Sequence, residues 1–303
     1  MLPLVLAALI LAQNPPSSSP VPPTSSYVPE RVYDMRTGGF ADLESLLVDV
    51  QHADAIFVGE EHDDPDTHRI ELMLLEGLVR RKARVVLALE MFERDVQPAL
   101  DRYLAGATSE DEDAFLGAAR PWPRYASDYR PLVEFARAHH VPVVASNVPR
   151  RIASAVAKNG LGALDGLGAD RALAAADIQC LQAGAYYDRF VEAMGEHPGS
   201  SRSVATETRN ANFYLSQCVK DETMGESVAH ALQEHPGATV LHVNGSFHSD
   251  YGEGTPASAR RRLPAARFAI VTIVPVSNLD AAHPDEDDRA RADYLVFTAT
   301  SRK

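Results

Sequence analysis

The turn Gly59-Glu60-Glu61-His62-Asp63-Asp64 follows the apolar run Ala55-Ile56-Phe57-Val58 and leads into Pro65. Carboxylates and imidazoles gathered in one place either hold a first-row divalent cation or move protons to and from bound water, since one is a hard anionic donor and the other titrates near neutrality. The same grammar recurs at Glu90 inside the apolar run 84–92, at Asn147 closing the run 141–147, and at His248 in Gly245-Ser246-Phe247-His248 after the run 238–244. Strand propensity does not call for Glu or His at the end of a buried strand. His62, Glu90 and His248 are therefore the candidate ligands for Mn, Co or Zn, or the general acid and base of a metal-dependent hydrolase.

Plainer readings stand beside these. His62 could cap a helix or simply be solvated, Glu90 could pair with Arg150 or Arg151, and His248 could be an ordinary loop histidine. His242, inside a run, reads as a hydrogen-bonded core residue, and His139-His140 as a favourable charge at a helix end. His68 faces either the site or solvent.

Positioning these side chains requires an alternating α/β chain. Strands are expected over 54–60, 84–92, 141–147, 238–244, 268–276 and 294–300, the first of them uniformly apolar between Ala55 and Val58 as in a sheet covered on both faces. Pro65 and the stripe Ile70, Leu74, Leu75 and Leu78 predict a helix ending near Lys82. A strand, a helix and a strand form a right-handed crossover, which predicts that Glu90 lies beside His62 at one sheet edge. Residues 32–49 read as a lead-in with a short helix from Asp42. The stretch of about 161–236 has no strand candidate and reads as an inserted helical lobe. The expectation is an α/β fold with a mostly parallel sheet flanked by helices, in a single domain over 31–303.

The 303 residues carry a net charge of −13 with 45% apolar and 23% charged side chains, which excludes a nucleic-acid polyanion as main partner. Residues 1–12 read as a secretory signal and 13–30 as a Pro/Ser-rich linker, leaving no transmembrane helix after signal removal. No cysteine near Ala12 could accept a lipid, so the protein is expected to be exported to the periplasm or envelope without being a lipoprotein. Cys180 and Cys218, the only cysteines, either pair or are two small buried residues. The acidic stretches 109–113 and 280–288 read as solvated charge. No GxGxxG, P-loop, G-x-S-x-G or H-E-x-x-H motif occurs.

The blocks Val58–Asp63, Leu89–Gln97, Asp101–Gly106, Val143–Arg150, Lys220–Ser227 and Gly245–Gly252 resemble, in order, those of the ChaN-like haem-binding, iron-regulated proteins. The resemblance implies an α/β core with a helical lobe, export to the bacterial cell envelope and haem binding in iron acquisition, with haem or another small molecule as ligand and a homodimer as one allowed assembly. The wider group, with Tiki and TraB-type metalloproteases and erythromycin esterases, places a Gly-x-x-His turn, a strand-end Glu and a late His at its centre. These correspond to Gly59 with His62, Glu90 and His248. The usual Gly-Asn-Gly-His turn is here Gly245-Ser246-Phe247-His248, with a bulky Phe247 beside the histidine. Haem ligation by tyrosine is known in the family, but no motif maps that ligand here; Tyr186, Tyr187 and Tyr251 are candidates by location. Glu61, Asn147 and Arg150 complete the candidate haem-binding residues.

Overall fold

Apolar runs with no polar face must be covered on both sides, and the chain achieves this with one sheet between two helical layers. The computed structural model describes residues 28–82, 84–106, 110–194 and 204–300; the expected signal and most of the linker lie outside them. The strands are β1 (Glu30–Asp34), β2 (Gly39–Ala41), β3 (Ala55–Glu60), β4 (Val85–Glu93), β5 (Val143–Asn147), β6 (Thr239–Gly245), β7 (Phe268–Val276) and β8 (Tyr294–Ala299). They form an 8-stranded sheet in the order β2-β1-β8-β7-β3-β6-β4-β5. Every pairing from β8 to β5 is parallel, and β1 pairs antiparallel with both β2 and β8.

The α-helices are α1 (Leu43–Val50), α2 (Pro65–Arg81), α3 (Gln97–Ala105), α4 (Glu110–Ala119), α5 (Tyr125–Asp128), α6 (Arg130–Ala138), α7 (Arg150–Asn159), α8 (Ala185–Ala193), α9 (Val204–Glu234) and α10 (Thr255–Arg262). Alternation along β3 sorts the two layers. Ile56 and Val58 pack on the face that carries Leu74 and Leu75 of α2 and Leu132 of α6. Ala55 and Phe57 face Val228 of α9 and Ala259 of α10. Helix α10 lies so close to α9 that a Cβ on Gly225 would fall 2.4 Å from Ser258 Oγ and 2.8 Å from the Ala259 amide nitrogen, so only glycine fits there.

Three expectations need correction. The lead-in contains the antiparallel β1–β2 pair, turned through Thr37 and Gly38. The ends of β3 and β4 are not adjacent, because β6 lies between them. Strand β5 starts at Val143 rather than 141, since Pro142 has no amide to contribute. Between α7 and β6 the described residues form 3-10 turns, α8 and α9, with no strand. Cys180 and Cys218 form a disulfide that ties the segment before α8 to α9. No helix among the described residues is long and apolar enough to cross a membrane.

His242 is a core residue: fully buried in β6, it lies 3.1 Å from Ser146 Oγ of β5 and 2.9 Å from Asn244 Oδ1. Burial lowers its pKa from 6.5 to about 4. As pH falls, the unfolded chain takes up a proton that the folded chain refuses, so this stability is full above about pH 6.5 and declines toward pH 4. In urea titrations the stability gap between wild type and H242Q should shrink across that window by up to about 1.4 kcal/mol per pH unit. A pH-independent gap would contradict the assignment. Replacing both cysteines by serine should lower the unfolding free energy by roughly 3–4 kcal/mol, because the disulfide spans a sequence separation of 38 residues; an unchanged melting temperature would show that the lobe melts independently of the sheet.

Candidate functional site

The site is built where parallel strands end. In the register of β3 against β6, Glu60 stands opposite Gly245. Strand β4 is irregular against β5 between Leu89 and Glu93, and Glu90 lies in that bulge, a device that re-aims a side chain. Glu90 is 3% exposed; its Oε2 accepts the Gly245 amide at 2.8 Å. A Cβ on Gly245 would fall 2.9 Å from His62 Nε2 and 3.7 Å from Glu90 Oε2. Glycine on the middle strand is thus what lets the imidazole from β3 and the carboxylate from β4 approach one another.

Each imidazole has its own carboxylate behind it. His248, in a short 3-10 turn after β6, places Nδ1 2.8 Å from Asp221 Oδ1 of α9 and Nε2 3.5 Å from Glu90 Oε1. Asp221 also accepts from Thr255 Oγ1 and Tyr186 Oη. His62 binds Glu60 Oε1 through Nδ1, and its ring meets Trp122 edge-on at 4.6 Å. Tyr129 Oη donates to the same Glu60 oxygen at 2.6 Å. The turn that carries His62 closes on Asp64, whose carboxylate caps α2 by accepting from the Thr67 amide and hydroxyl.

Electrostatics follow from these partners. Burial works against the imidazolium of His62, yet Glu60, Glu90 and Glu61 outweigh it and raise its pKa. Burial likewise opposes protonation of His248, and Asp221 with Glu90 reverses the balance upward. Burial pushes the Glu90 carboxyl up, but His248, His62 and Lys220 more than compensate and hold it below the usual glutamate value.

A cavity of about 790 Å³ opens above this floor. Among the expected site residues, Glu61, His62, Glu90, Arg150 and His248 line it, together with Trp122, Tyr129, Phe190, Met194, Lys220 and Phe247. The other expected residues lie elsewhere. Asn147 is buried at the end of β5 and caps its own turn by accepting the Val148 amide. Tyr186 stands behind His248, bonded to Asp221 and packed on Phe247. Tyr187 packs edge-on against Tyr214, and Tyr251 lies under Arg189 and donates to the Asp287 carbonyl. None of the three tyrosines lines the cavity. Glu90 does not pair with Arg151, which instead bridges Asp95 and Asp170.

His68 faces inward, against Glu71 and Glu60. Among the described residues, that trio is the group of three or more donors lying within 4.8 Å of one another; the expected ligand set His62, Glu90 and His248 does not form a second. Sequence reasoning named Glu60 in the turn without giving it a role of its own, and passed over Tyr129 and Asp221 as site residues. The available signal was period two, which sends Glu60 and Glu61 to opposite sides of the strand end; Asp221, flanked by Lys220 and Glu222, gave none.

Residues 46–258 match the family model described as haem-binding uptake, Tiki superfamily, ChaN. In fold the chain is similar to ChaN of Campylobacter jejuni, which binds haem cofacially: the TM-score is 0.64 at 15% identity, covering 89% of this chain and 96% of that one. An erythromycin esterase in its open conformation overlaps 90% of this chain and 83% of its own, at a TM-score of 0.45 and 11% identity. The chloroplastic protein RETICULATA-RELATED 5 of Arabidopsis thaliana is 24% identical over 295 residues, which is 90% of this chain and 38% of that protein.

Glu90 borders both imidazoles, whereas Asp221 acts on His248 and not on His62. In histidine-ring NMR titrations, E90Q should lower the pKa of both histidines and D221N that of His248 only. Unmoved titrations in E90Q would break the link between the three side chains.

Proposed function

The chain belongs to the ChaN family of haem-binding uptake proteins in the Tiki superfamily, and from that premise we propose that it binds haem in the cavity at the carboxyl edge of the sheet. The observation that carries this reading is His62: 47% exposed at its side chain, it stands in the cavity wall with Nδ1 held by Glu60. A carboxylate behind the imidazole fixes its tautomer and increases its donor strength, which suits an axial ligand for iron. Phe190, Trp122, Met194 and Phe247 supply an apolar wall for a porphyrin face. Arg150 and Lys220 line the same cavity and make no ion pair among the described residues, so they are available to the propionates. When bound, the iron would supply the reversible ligand and electron chemistry that an uptake protein carries as cargo.

The proposal extends to export and a role in haem or iron uptake in the cell envelope. The apolar segment 1–12 supports it, as does the Cys180–Cys218 disulfide, since thiols persist as disulfides in oxidising compartments. Cofacial haem in the Campylobacter jejuni relative supports a homodimer that brings two porphyrin faces together. The metal-dependent hydrolase is not favoured, because the family match is to haem-binding uptake.

Titration of the purified chain with hemin should give a saturable Soret shift with a histidine-ligated spectrum. His62→Ala should abolish that spectrum, and Tyr186→Phe, Tyr187→Phe and Tyr251→Phe should keep it. Loss of the spectrum in one of the tyrosine variants, with His62→Ala unaffected, would move the haem out of this cavity and overturn the assignment.

A further inference from the structure

Beneath the cavity floor lies a layer of buried polar groups that haem binding does not use. His68, Glu71 and Asp128 are each 3% exposed or less, and Glu60 reaches the layer from above. Asp128 has its own counter-charge in Arg124, 2.7 Å away. Glu60 and Glu71 have none: among the described residues no Lys or Arg pairs with either, and apart from the Tyr129 hydroxyl on Glu60 Oε1 and a hydrogen bond between the two carboxyls themselves, the groups that approach them are histidines.

The tautomer of His68 sharpens the problem. Its Nε2 lies 3.2 Å from the His62 carbonyl oxygen, which can only accept, so Nε2 carries a proton. In the neutral ring Nδ1 then presents a lone pair, and it points at Glu71 Oε2 at 3.1 Å and Glu60 Oε2 at 3.4 Å. Glu60 Oε2 and Glu71 Oε1 are buried with no hydrogen-bond partner. Three electron-rich atoms facing one point need a cation between them, either a proton or a metal ion.

The spacing fits a metal. Donors about 2.0–2.2 Å from one ion, at angles between octahedral and tetrahedral, stand roughly 3.0–3.4 Å apart, as His68 Nδ1 does from each carboxylate. The backbone carbonyl on Nε2–H is the outer partner that metal-bound imidazoles usually have. We propose that a single divalent first-row metal ion binds in this chain between His68 Nδ1, Glu60 and Glu71, under the floor of the cavity. Imidazole with two carboxylates is a donor set for zinc, manganese or ferrous iron rather than for calcium or magnesium. The site is distinct from the expected set of His62, Glu90 and His248, and the proposal does not rest on the haem reading.

The test uses the haem-free full chain after dialysis against EDTA. Calorimetric titration with zinc chloride should show one saturable site per chain, and cobalt chloride should give visible ligand-field absorption at the same stoichiometry. Glu71→Gln, which preserves side-chain shape, should weaken zinc binding by roughly 10-fold or more, since losing a ligand costs at least what losing an outer partner does. Glu76→Gln, on the exposed face of α2, should keep the wild-type zinc isotherm. If Glu71→Gln fails to fold by circular dichroism, the cobalt spectrum of the wild type decides alone. Absence of saturable one-to-one binding in the wild type would overturn the proposal in favour of protons, as would a folded Glu71→Gln chain that binds zinc as tightly.

Discussion

The structure depends on burying two carboxylates, Glu60 and Glu90, at the ends of strands that flank β6. A buried carboxylate costs of order several kcal/mol unless it meets charge or hydrogen-bond donors. The surrounding elements can be read as the answers to that cost. Glu90 receives the Gly245 amide, His248 and His62. Glu60 receives His62 and Tyr129 on one oxygen and faces His68 with the other. Helix α9 enters because His248 needs Asp221, and α10 enters because Asp221 needs Thr255.

Topology explains why these groups meet at all. With β6 between β3 and β4, three strand ends from distant parts of the sequence open on one edge, the usual place for a ligand in an open parallel sheet. An intervening strand would ordinarily hold its neighbours about two strand spacings apart. Gly245 offsets this by omitting the side chain that would stand between His62 and Glu90, and the β4 bulge turns Glu90 toward it. The long excursion from α7 to β6 supplies the far wall, including Phe190 and Lys220, and the Cys180–Cys218 disulfide fixes it to α9.

Much of this was legible in the sequence because it lies on strands. Apolar runs ending in Glu90, in Glu60 to His62 and near His248 mark both the sheet and its functional edge, and His242 is identifiable as core from its place inside a run. The hairpin β1–β2 was missed because its strands are only 5 and 3 residues long, too short for period two to declare itself. The acids of the helices escaped for a different reason. Asp221 and Glu71 sit in helices that carry several other charged residues, some buried and some solvated, and periodicity alone does not tell an inward acid from an outward one until its partner is known. The tyrosines stay out of the cavity lining because a location in a lobe says nothing about direction: Tyr186 turns to Asp221 and Tyr251 to the Asp287 carbonyl.

Glu60 joins the two storeys of the site. One of its oxygens orients the His62 imidazole at the cavity wall, and the other faces His68 below. Any positive charge that settles against the lower oxygen draws electron density from the upper one and weakens its pull on the His62 proton. A cation beneath the floor and a ligand above it are therefore coupled through a single carboxylate, by ordinary electrostatics and with no movement of the backbone. That coupling must be reciprocal: whatever makes His62 a better donor to a cavity ligand also alters how tightly the layer below holds its cation. Tyr129 limits the freedom of the arrangement, since its hydroxyl on the same upper oxygen keeps the carboxylate from rotating to favour one storey over the other.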